Sequence, residues 1–133
     1  MSGRDGTEKI VLLGQVPSKK NSRINTRSGR SFPSKRYSEW HKNSVEQLGT
    51  IDGSFGKGIT SQKCEINYMF YCKDLRRRDV SNMLESINDL LVDVGILEDD
   101  DWKHVRIGWA DATVDKEKPR AEVTIKQYGG QNT

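Results

Sequence analysis

The stretch that determines the fold is RRRDVSNMLESINDLLVDVGILEDDDWKHV, which runs from Arg76 to Val105. On an α-helix, which advances about 100° per residue, its apolar side chains share an arc of roughly 20° to 140° measured from Asp79. These side chains are Val80, Met83, Leu84, Ile87, Leu90, Leu91 and Val94. The opposite arc carries Asp79, Asn82, Glu85, Ser86 and Asp89. The pattern predicts an amphipathic helix that ends at Gly95, because glycine is the usual residue just beyond a helix C-terminus.

Charge is distributed unevenly along the chain, although the net charge is only +3. Between Ser18 and Lys42, eight basic residues face one acidic residue, so that segment carries a charge of +7 (eight minus one). Lys73 and Arg76–Arg78 precede the predicted helix, and the acidic block Glu98–Asp101 follows it. Basic segments around an acidic cluster suit a polyanion bound through its phosphates, with metal ions at the centre. Ordinary solvated surface charge would give the same runs and stays open as the alternative.

The N-terminal half predicts one strand, one long loop and one helix. Glu8–Val16 is a short apolar run that indicates a buried strand. Pro17–Ser34 is rich in Ser, Asn and Arg and has no apolar period, which predicts a long, mobile, basic loop. Tyr37–Leu48 has apolar residues near helical spacing, so we expect a second helix with Ser38 as its N-cap.

Alternating patterns predict further strands after the chain break at Gly53–Gly58. Apolar residues alternate with polar ones in Gln62–Cys72, and Val105–Trp109 and Ala121–Ile125 alternate likewise. The turn Asp115–Pro119 lies between the last two runs and indicates an antiparallel hairpin. The predicted fold class is therefore α+β, with a small mixed or antiparallel sheet of about four or five strands and two packed helices.

Length and composition limit the chain to a small, polar domain. The 133 residues are 33% apolar and 31% charged, and the mean hydropathy is −0.79. We expect a single domain over residues 1–133, with frayed tails at 1–8 and 129–133. Apolar runs fall far short of the roughly 20 residues that a membrane span needs, and no segment has the pattern of a signal peptide. These features predict a cytoplasmic protein.

The cysteines and histidines predict neither a disulfide nor a zinc site. Cys64 and Cys72 lie eight residues apart in one predicted strand. That spacing corresponds to about 26 Å at 3.3 Å per residue, which is too far for a bridge. His41 and His104 are scattered relative to the thiols and lack the spacing of zinc ligands. We interpret both cysteines as reduced structural residues.

Carboxylates near both ends of the predicted helix are candidates for metal chemistry. Mg²⁺ prefers carboxylate oxygens and water, and two such ions can activate water and stabilise the leaving oxygen in phosphodiester hydrolysis. Asp79 begins the helix and Asp99–Asp101 follow it. They can meet only if the acidic loop doubles back along a helix some 22 Å long. Asp79 as a simple N-cap, and the acidic run as a surface turn, stay open as alternatives.

The same stretch resembles the signature of the RusA family of Holliday junction resolvases. In that family a run of arginines precedes an Asp-x-Asp-Asn motif, and the helix leads through a glycine to a paired aspartate. The residues that match in register are Arg76–Arg78, Asp79, Asn82, Asp89-Leu90-Leu91, Gly95 and Asp99-Asp100. The resemblance extends to VPSKKNSR (Val16–Arg23) and to the last two predicted strands, and it covers most of Lys9–Tyr128. The family's second aspartate is Ser81 here, and its lysine four residues later is Glu85.

The resemblance implies a homodimeric endonuclease that uses Mg²⁺ or Mn²⁺ to cut Holliday junctions or other branched DNA in recombination or repair. The host would be a bacterial or phage-infected cell. The resemblance implies that Asp79, Asp99 and Asp100 are catalytic. We hypothesise that Glu85, which lies on the polar arc, is catalytic as well and replaces the carboxylate that Ser81 lacks. Asp79, Glu85 and Asp100 would bind the metal, supported by Asn82 and Asp89. The expected DNA-contacting residues are Lys19, Lys20, Asn21, Arg23, Arg76, Arg77 and Arg78.

Two other functions stay open. The changes at Ser81 and Glu85 are compatible with a protein that binds branched DNA without cutting it. A regulatory module whose basic loop binds an acidic protein is the second alternative. Tyr37 and Trp40 are candidates to stack on unpaired bases, although a core position is favoured for Trp40.

Overall fold

A computed structural model describes the chain at residues 7–18, 23–25, 31–49 and 63–127. The elements in chain order are β1 (Thr7–Leu13), β2 (Arg23–Asn25), β3 (Ser31–Pro33), α1 (Lys35–Gly49), β4 (Cys64–Cys72), α2 (Val80–Asp93), β5 (Val105–Val114) and β6 (Arg120–Gln127). Four of the strands form one mixed sheet in the order β1-β6-β4-β5, and β2 and β3 pair separately. The α+β prediction is confirmed. Within the described ranges, neither helix has the length and apolar character that crossing a membrane requires.

In the sheet, β1 is followed along the chain by α1, and β4 is followed by α2. Strands β5 and β6 complete the sheet. Strand β4 continues into α2, which carries the chain back so that β5 pairs with β4 in parallel. Strand β6 lies between β1 and β4 and is antiparallel to both. A parallel pair needs such a crossover, since a tight turn can join only antiparallel strands. The amphipathic pattern of α2 therefore determines both the layer and the strand direction.

The predicted hairpin between the last two strands is wrong. β5 pairs with β4 and not with β6, because β4 lies between them in the sheet. The 115–119 connection spans two strand spacings, about 9.6 Å, and passes over the end of β4. There the Asp115 amide donates to the Cys72 carbonyl at 2.8 Å, and the Gly14 amide donates to the Pro119 carbonyl at 2.9 Å.

The N-terminal half departs from its prediction in three places. Strand β1 is Thr7–Leu13, so residues 7 and 8, expected in a frayed tail, belong to the sheet. The expected long loop contains the short antiparallel pair β2–β3. The N-cap of α1 is Ser34 and not Ser38, because the Tyr37 amide donates to the Ser34 hydroxyl at 3.2 Å. The break predicted at residues 53–58 lies outside the described residues.

One face of the sheet forms the core together with the two helices. Every second residue of β4, from Cys64 to Cys72, is buried, as its alternation predicts. Ile10 and Leu12 of β1 bury the same face, and Ala121, Val123 and Ile125 of β6 join them. Both cysteines are buried and free, which agrees with the expectation that they do not form a disulfide.

Helix α2 buries more of its surface than its apolar arc predicts. Asn82 is 8% exposed and Ser86 is fully buried, although both lie on the predicted polar arc. The Ser86 hydroxyl donates to the Pro17 carbonyl at 2.7 Å, so the segment after β1 covers this side of the helix. Beyond the helix, Gly95 adopts φ 84°, as its position predicts. The Ile96 and Leu97 amides then donate to the Leu91 carbonyl at 2.9 and 3.1 Å.

Replacing Leu91, whose side chain is fully buried, tests the role of α2 in the core. We expect Leu91→Ala to lower the free energy of unfolding by about 2–5 kcal/mol, because the truncation removes apolar contacts and leaves a cavity. Leu75 is 90% exposed, so the matched Leu75→Ala variant should change stability by less than about 0.5 kcal/mol. Urea unfolding measures both, and equal midpoints for the two variants would contradict the packing.

Candidate functional site

Asp79 occupies the N-cap position of α2 without capping the helix through its side chain. Its backbone is extended (φ −85°, ψ 121°), and no side-chain capping hydrogen bond is made. One carboxylate oxygen accepts from the Asn82 side-chain amide at 3.3 Å. The other lies 3.6 Å from the guanidinium of Arg77. The simple N-cap alternative therefore does not account for this aspartate, whose oxygens face polar side chains at an exposed helix end.

The three arginines before α2 occupy different environments. The Arg78 side chain is only 14% exposed and pairs with the Asp74 carboxylate at 2.8 Å. It also donates to the backbone carbonyls of Asp74 and Arg76, each at 3.1 Å. The Arg76 backbone amide and the Arg78 side chain lower the pKa of Asp74 through these hydrogen bonds. Arg78 thus holds the loop together, whereas Arg76 and Arg77 are exposed.

The basic residues of the N-terminal segment are only partly described. Lys19, Lys20 and Asn21 lie outside the described residues. The backbone of Arg23 belongs to β2, and it pairs with Pro33 of β3. Their expected contacts with DNA stay a prediction.

The remaining predicted carboxylates lie on α2 and in the loop that follows it. Glu85 is exposed on the helix. The Asp99 carboxylate accepts from the Asp100 backbone amide at 2.8 Å, and both residues are exposed. Asp100 follows Val94, the C-cap of α2, by six residues. The loop thus starts at the end of the helix opposite to Asp79.

Tyr68 contacts the middle of α2, and its pKa responds to the charge of the acidic loop. Its buried hydroxyl donates to the Asn88 side-chain oxygen on α2 at 2.6 Å. Burial raises the pKa of Tyr68, the hydrogen bond to Asn88 lowers it, and the negative charge of Asp100 raises it. Asn88 lies about 14 Å along the helix axis from Asp79, compared with about 22 Å for the C-cap. The charge of Asp100 therefore raises the pKa of a hydroxyl that contacts the middle of α2.

A histidine network holds the acidic loop. The two ring nitrogens of His104 lie 2.5 Å from the Asp101 carboxylate and 3.2 Å from the Glu98 carboxylate. The hydrogen bond with Asp101 is the largest cause that raises the pKa of His104, and Glu98 adds to it. The same hydrogen bond lowers the pKa of Asp101. The His104 carbonyl also accepts from the Cys64 amide at 2.9 Å, which joins the loop to the sheet.

A group of metal-ligand type that the sequence did not reveal lies between the helices. Ligand atoms of His41, Asp89 and Asp93 all lie within 4.8 Å of one another. Asp93 is 2.8 Å from the His41 ring, and the Tyr37 hydroxyl donates to Asp89 at 2.7 Å. The two contacts are one helical turn apart on each helix, so α1 and α2 run in the same direction here. The i, i+4 spacing of the two aspartates was visible in the sequence, but the direction of α1 was not.

The structure brings some predicted residues together and leaves others apart. In the described part of the chain, the three-membered group within 4.8 Å contains Asp89 but none of Asp79, Glu85, Asp99 and Asp100. The Asn82 side-chain amide donates to the Asp79 carboxylate, and its supporting role stays a prediction. The metal set of Asp79, Glu85 and Asp100 therefore stays a prediction that the geometry of the free chain does not assemble.

The aromatic residues suggested for base stacking are buried. Tyr37 and Trp40 are each 6% exposed, so neither can stack on a base without local opening. That suggestion is wrong, and the core position for Trp40 is confirmed. The rings contact each other with centroids 6.1 Å apart. Burial follows from their places on the face of α1 that packs on the core.

Comparisons with known proteins do not assign a family. The chain matches no family model and no curated protein.

The His104–Asp101 contact predicts a pH-dependent stability. Because the pKa of His104 is raised above its ordinary 6.5, its contribution is full below that pH and is lost as the pH rises through the raised value. The lowered pKa of Asp101 means that its contribution is full above 3.8 and is lost as the pH falls through the lowered value. The stability difference between the unmodified chain and His104→Gln should therefore be largest between these two ordinary values and shrink toward alkaline pH. Thermal unfolding across this range measures it, and a difference that grows with pH would contradict the network.

Proposed function

We propose that the chain is a metal-dependent endonuclease that hydrolyses phosphodiester bonds of branched DNA, Holliday junctions included. The observation that carries the proposal is Asp79, an aspartate at an N-cap position whose carboxylate is not used as a cap. It lies beside the exposed Arg76 and Arg77, at the helix end whose dipole favours anions. A helix terminus with exposed cations and a carboxylate that does not cap the helix suits a phosphate together with a cation.

The chemistry of the donor set fits Mg²⁺ or Mn²⁺. Asp79, Glu85 and Asp100 offer exposed carboxylate oxygens, the hard ligands that these ions prefer. A bound ion would supply activation of water and stabilisation of the leaving oxygen. The chain's own contribution is positional, because Asn82 orients the Asp79 carboxylate and the His104 network holds the loop that carries Asp100. Asp99 would assist through its hydrogen bond to the Asp100 amide.

DNA would be held mainly through phosphates. Arg76 and Arg77 are exposed at the start of α2, and the Arg77 side chain is 91% exposed. Arg78 would serve the same surface indirectly, since it maintains the loop that presents the other two. Phosphate contacts set the position of a protein on DNA and make the affinity depend on salt.

A homodimer is part of the proposal. A four-way junction has two-fold symmetry and is resolved by nicks in two opposed strands, which a symmetric dimer can supply. Sedimentation of the protein with a four-way junction tests the stoichiometry. Two chains per junction support the dimer, and one chain on a junction that is nicked in both strands would contradict it.

A branched-DNA-binding protein without catalysis is the second candidate. The observation that favours it is the separation of Asp79, Glu85 and Asp100, which do not form a group of three within 4.8 Å in the described residues. Such a protein would retain the exposed arginines and shift the mobility of a junction without nicking it. The nicking assay with added Mg²⁺ separates the two candidates.

Replacing the proposed metal ligands tests the nuclease. We expect Asp79→Asn and Asp100→Asn each to lower the rate of Mg²⁺-dependent nicking of a synthetic four-way junction by at least about 100-fold, since each removes a metal-binding carboxylate. Junction affinity without metal should change little. Asp111→Asn, at an exposed carboxylate on β5, is the matched control and should retain activity. Full nicking by either ligand variant would refute the assignment.

Replacing the exposed arginines tests the phosphate contacts. We expect Arg76→Ala combined with Arg77→Ala to reduce the slope of log affinity against log salt by about two, because each phosphate contact contributes about 0.9. Lys116→Ala combined with Lys118→Ala removes two exposed charges from the turn between β5 and β6 and serves as the control. Fluorescence anisotropy over a range of salt concentrations measures the slopes. Equal loss of slope in both double variants would mean that net charge alone determines binding.

A further inference from the structure

Trp102 is a large aromatic side chain with no place in the core. It is 75% exposed, whereas Trp40 is only 6% exposed. The ammonium groups of Lys63 and Lys103 each lie 5.9 Å from the centroid of its ring. Leaving an indole in water forfeits the burial that such a ring usually provides. An exposed tryptophan between two cations therefore needs an explanation other than folding.

The loop that carries Trp102 is held in place on both sides. Asp101 accepts from the Lys103 amide at 3.2 Å and lies 2.5 Å from the His104 ring. The His104 and Val105 amides both donate to the Asp101 carbonyl at 3.0 Å, and β5 begins at Val105. Because the backbone around Trp102 is fixed, a ligand that binds its ring would not have to order the loop first.

We propose that Trp102 is a stacking platform for an unpaired nucleobase of the DNA substrate. Any base can stack on an indole ring, and the flanking ammonium groups of Lys63 and Lys103 supply contacts for the adjoining phosphates. The inference rests on the proposed function, since it names the part of branched DNA that this site recognises. Trp102 follows Asp100 by two residues, so their Cα atoms lie at most about 7 Å apart. An unpaired base at a branch point would thus be held beside the proposed metal ligands.

The charges of the loop favour this occupant over an apolar partner. Asp99, Asp100 and Asp101 would repel a polyanion if nothing offset them. His104 pairs with Asp101, and the ammonium groups of Lys63 and Lys103 add positive charge beside the ring. An apolar protein surface would take these ammonium groups out of water and would bring no negative charge of its own, which is costly. A base with its phosphates provides both the stacking face and the negative charge.

Binding of a single-stranded thymidine oligonucleotide, compared with a fully paired duplex of equal phosphate number, tests the platform. We expect Trp102→Ala to weaken single-strand binding roughly 5- to 150-fold, the range found for loss of one base–aromatic stack. Duplex affinity should be unchanged, because paired bases are not available to stack. Trp109→Ala, at the 51% exposed tryptophan of β5, is the matched control and should bind like the unmodified chain.

A spectroscopic measurement that leaves Trp102 in place makes the test independent of the alanine variant's folding. In Trp109→Phe, Trp102 and the buried Trp40 are the remaining tryptophans, and the oligonucleotide should quench the exposed emission. In Trp102→Phe that quenching should be lost. Binding and quenching that do not depend on Trp102 would overturn the platform while leaving the nuclease proposal intact. If binding depends on Trp102 but the protein nicks no junction, the result would support the stacking platform and contradict the nuclease proposal.

Discussion

The burial of α2 against β4 is the constraint on which the rest of the structure depends. Ile87, Leu90 and Leu91 are fully buried, and they belong to the same core cluster as the alternating buried residues of β4. Two polar contacts also determine the rotation of the helix: Tyr68 donates to Asn88 and Ser86 donates to Pro17. A buried polar group that loses its partner costs about 1–3 kcal/mol, so the helix has little freedom to turn or slide.

A fixed helix determines where the candidate site lies. Its first turn presents Asp79 and the arginine loop, and its last turn leads through Gly95 into the acidic loop. Because β5 pairs with β4 in parallel, the chain must return to the N-terminal end of β4 before β5 begins. At that end the His104 carbonyl accepts a hydrogen bond from the Cys64 amide. A bulge at Gly108 shifts the register of this pairing by one residue, and a side chain at that position would collide with the Asn67 side chain. The acidic loop and Trp102 are therefore positioned by the sheet itself.

The periodicity of apolar residues correctly predicted the helices and strands whose buried faces follow from their own sequence. It failed where burial or pairing depends on a segment that is distant in sequence. The alternation of β4 and the arc of α2 identified their core faces, and Gly95 marked the helix end. The hairpin of β5 and β6 was wrong because no local signal shows that β4 inserts between them. Ser86 was placed on a polar surface because the segment at Pro17 that covers it is 69 residues away. The His41 group was missed for the same reason, since it needs the relative direction of two helices.

The contacts of the free chain indicate how metal and phosphate would be coupled at Asp79. Its ion pair with Arg77 is long, at 3.6 Å, and the Arg77 side chain is largely exposed and that of Asp79 half-exposed, so the pair contributes little in water. A divalent cation that binds the carboxylate would repel the guanidinium and leave it available for an anion. The nearest anion in a DNA complex is a backbone phosphate, which such a cation also attracts. Cation and phosphate would then each favour binding of the other, because both are satisfied when Arg77 moves from the aspartate to the DNA.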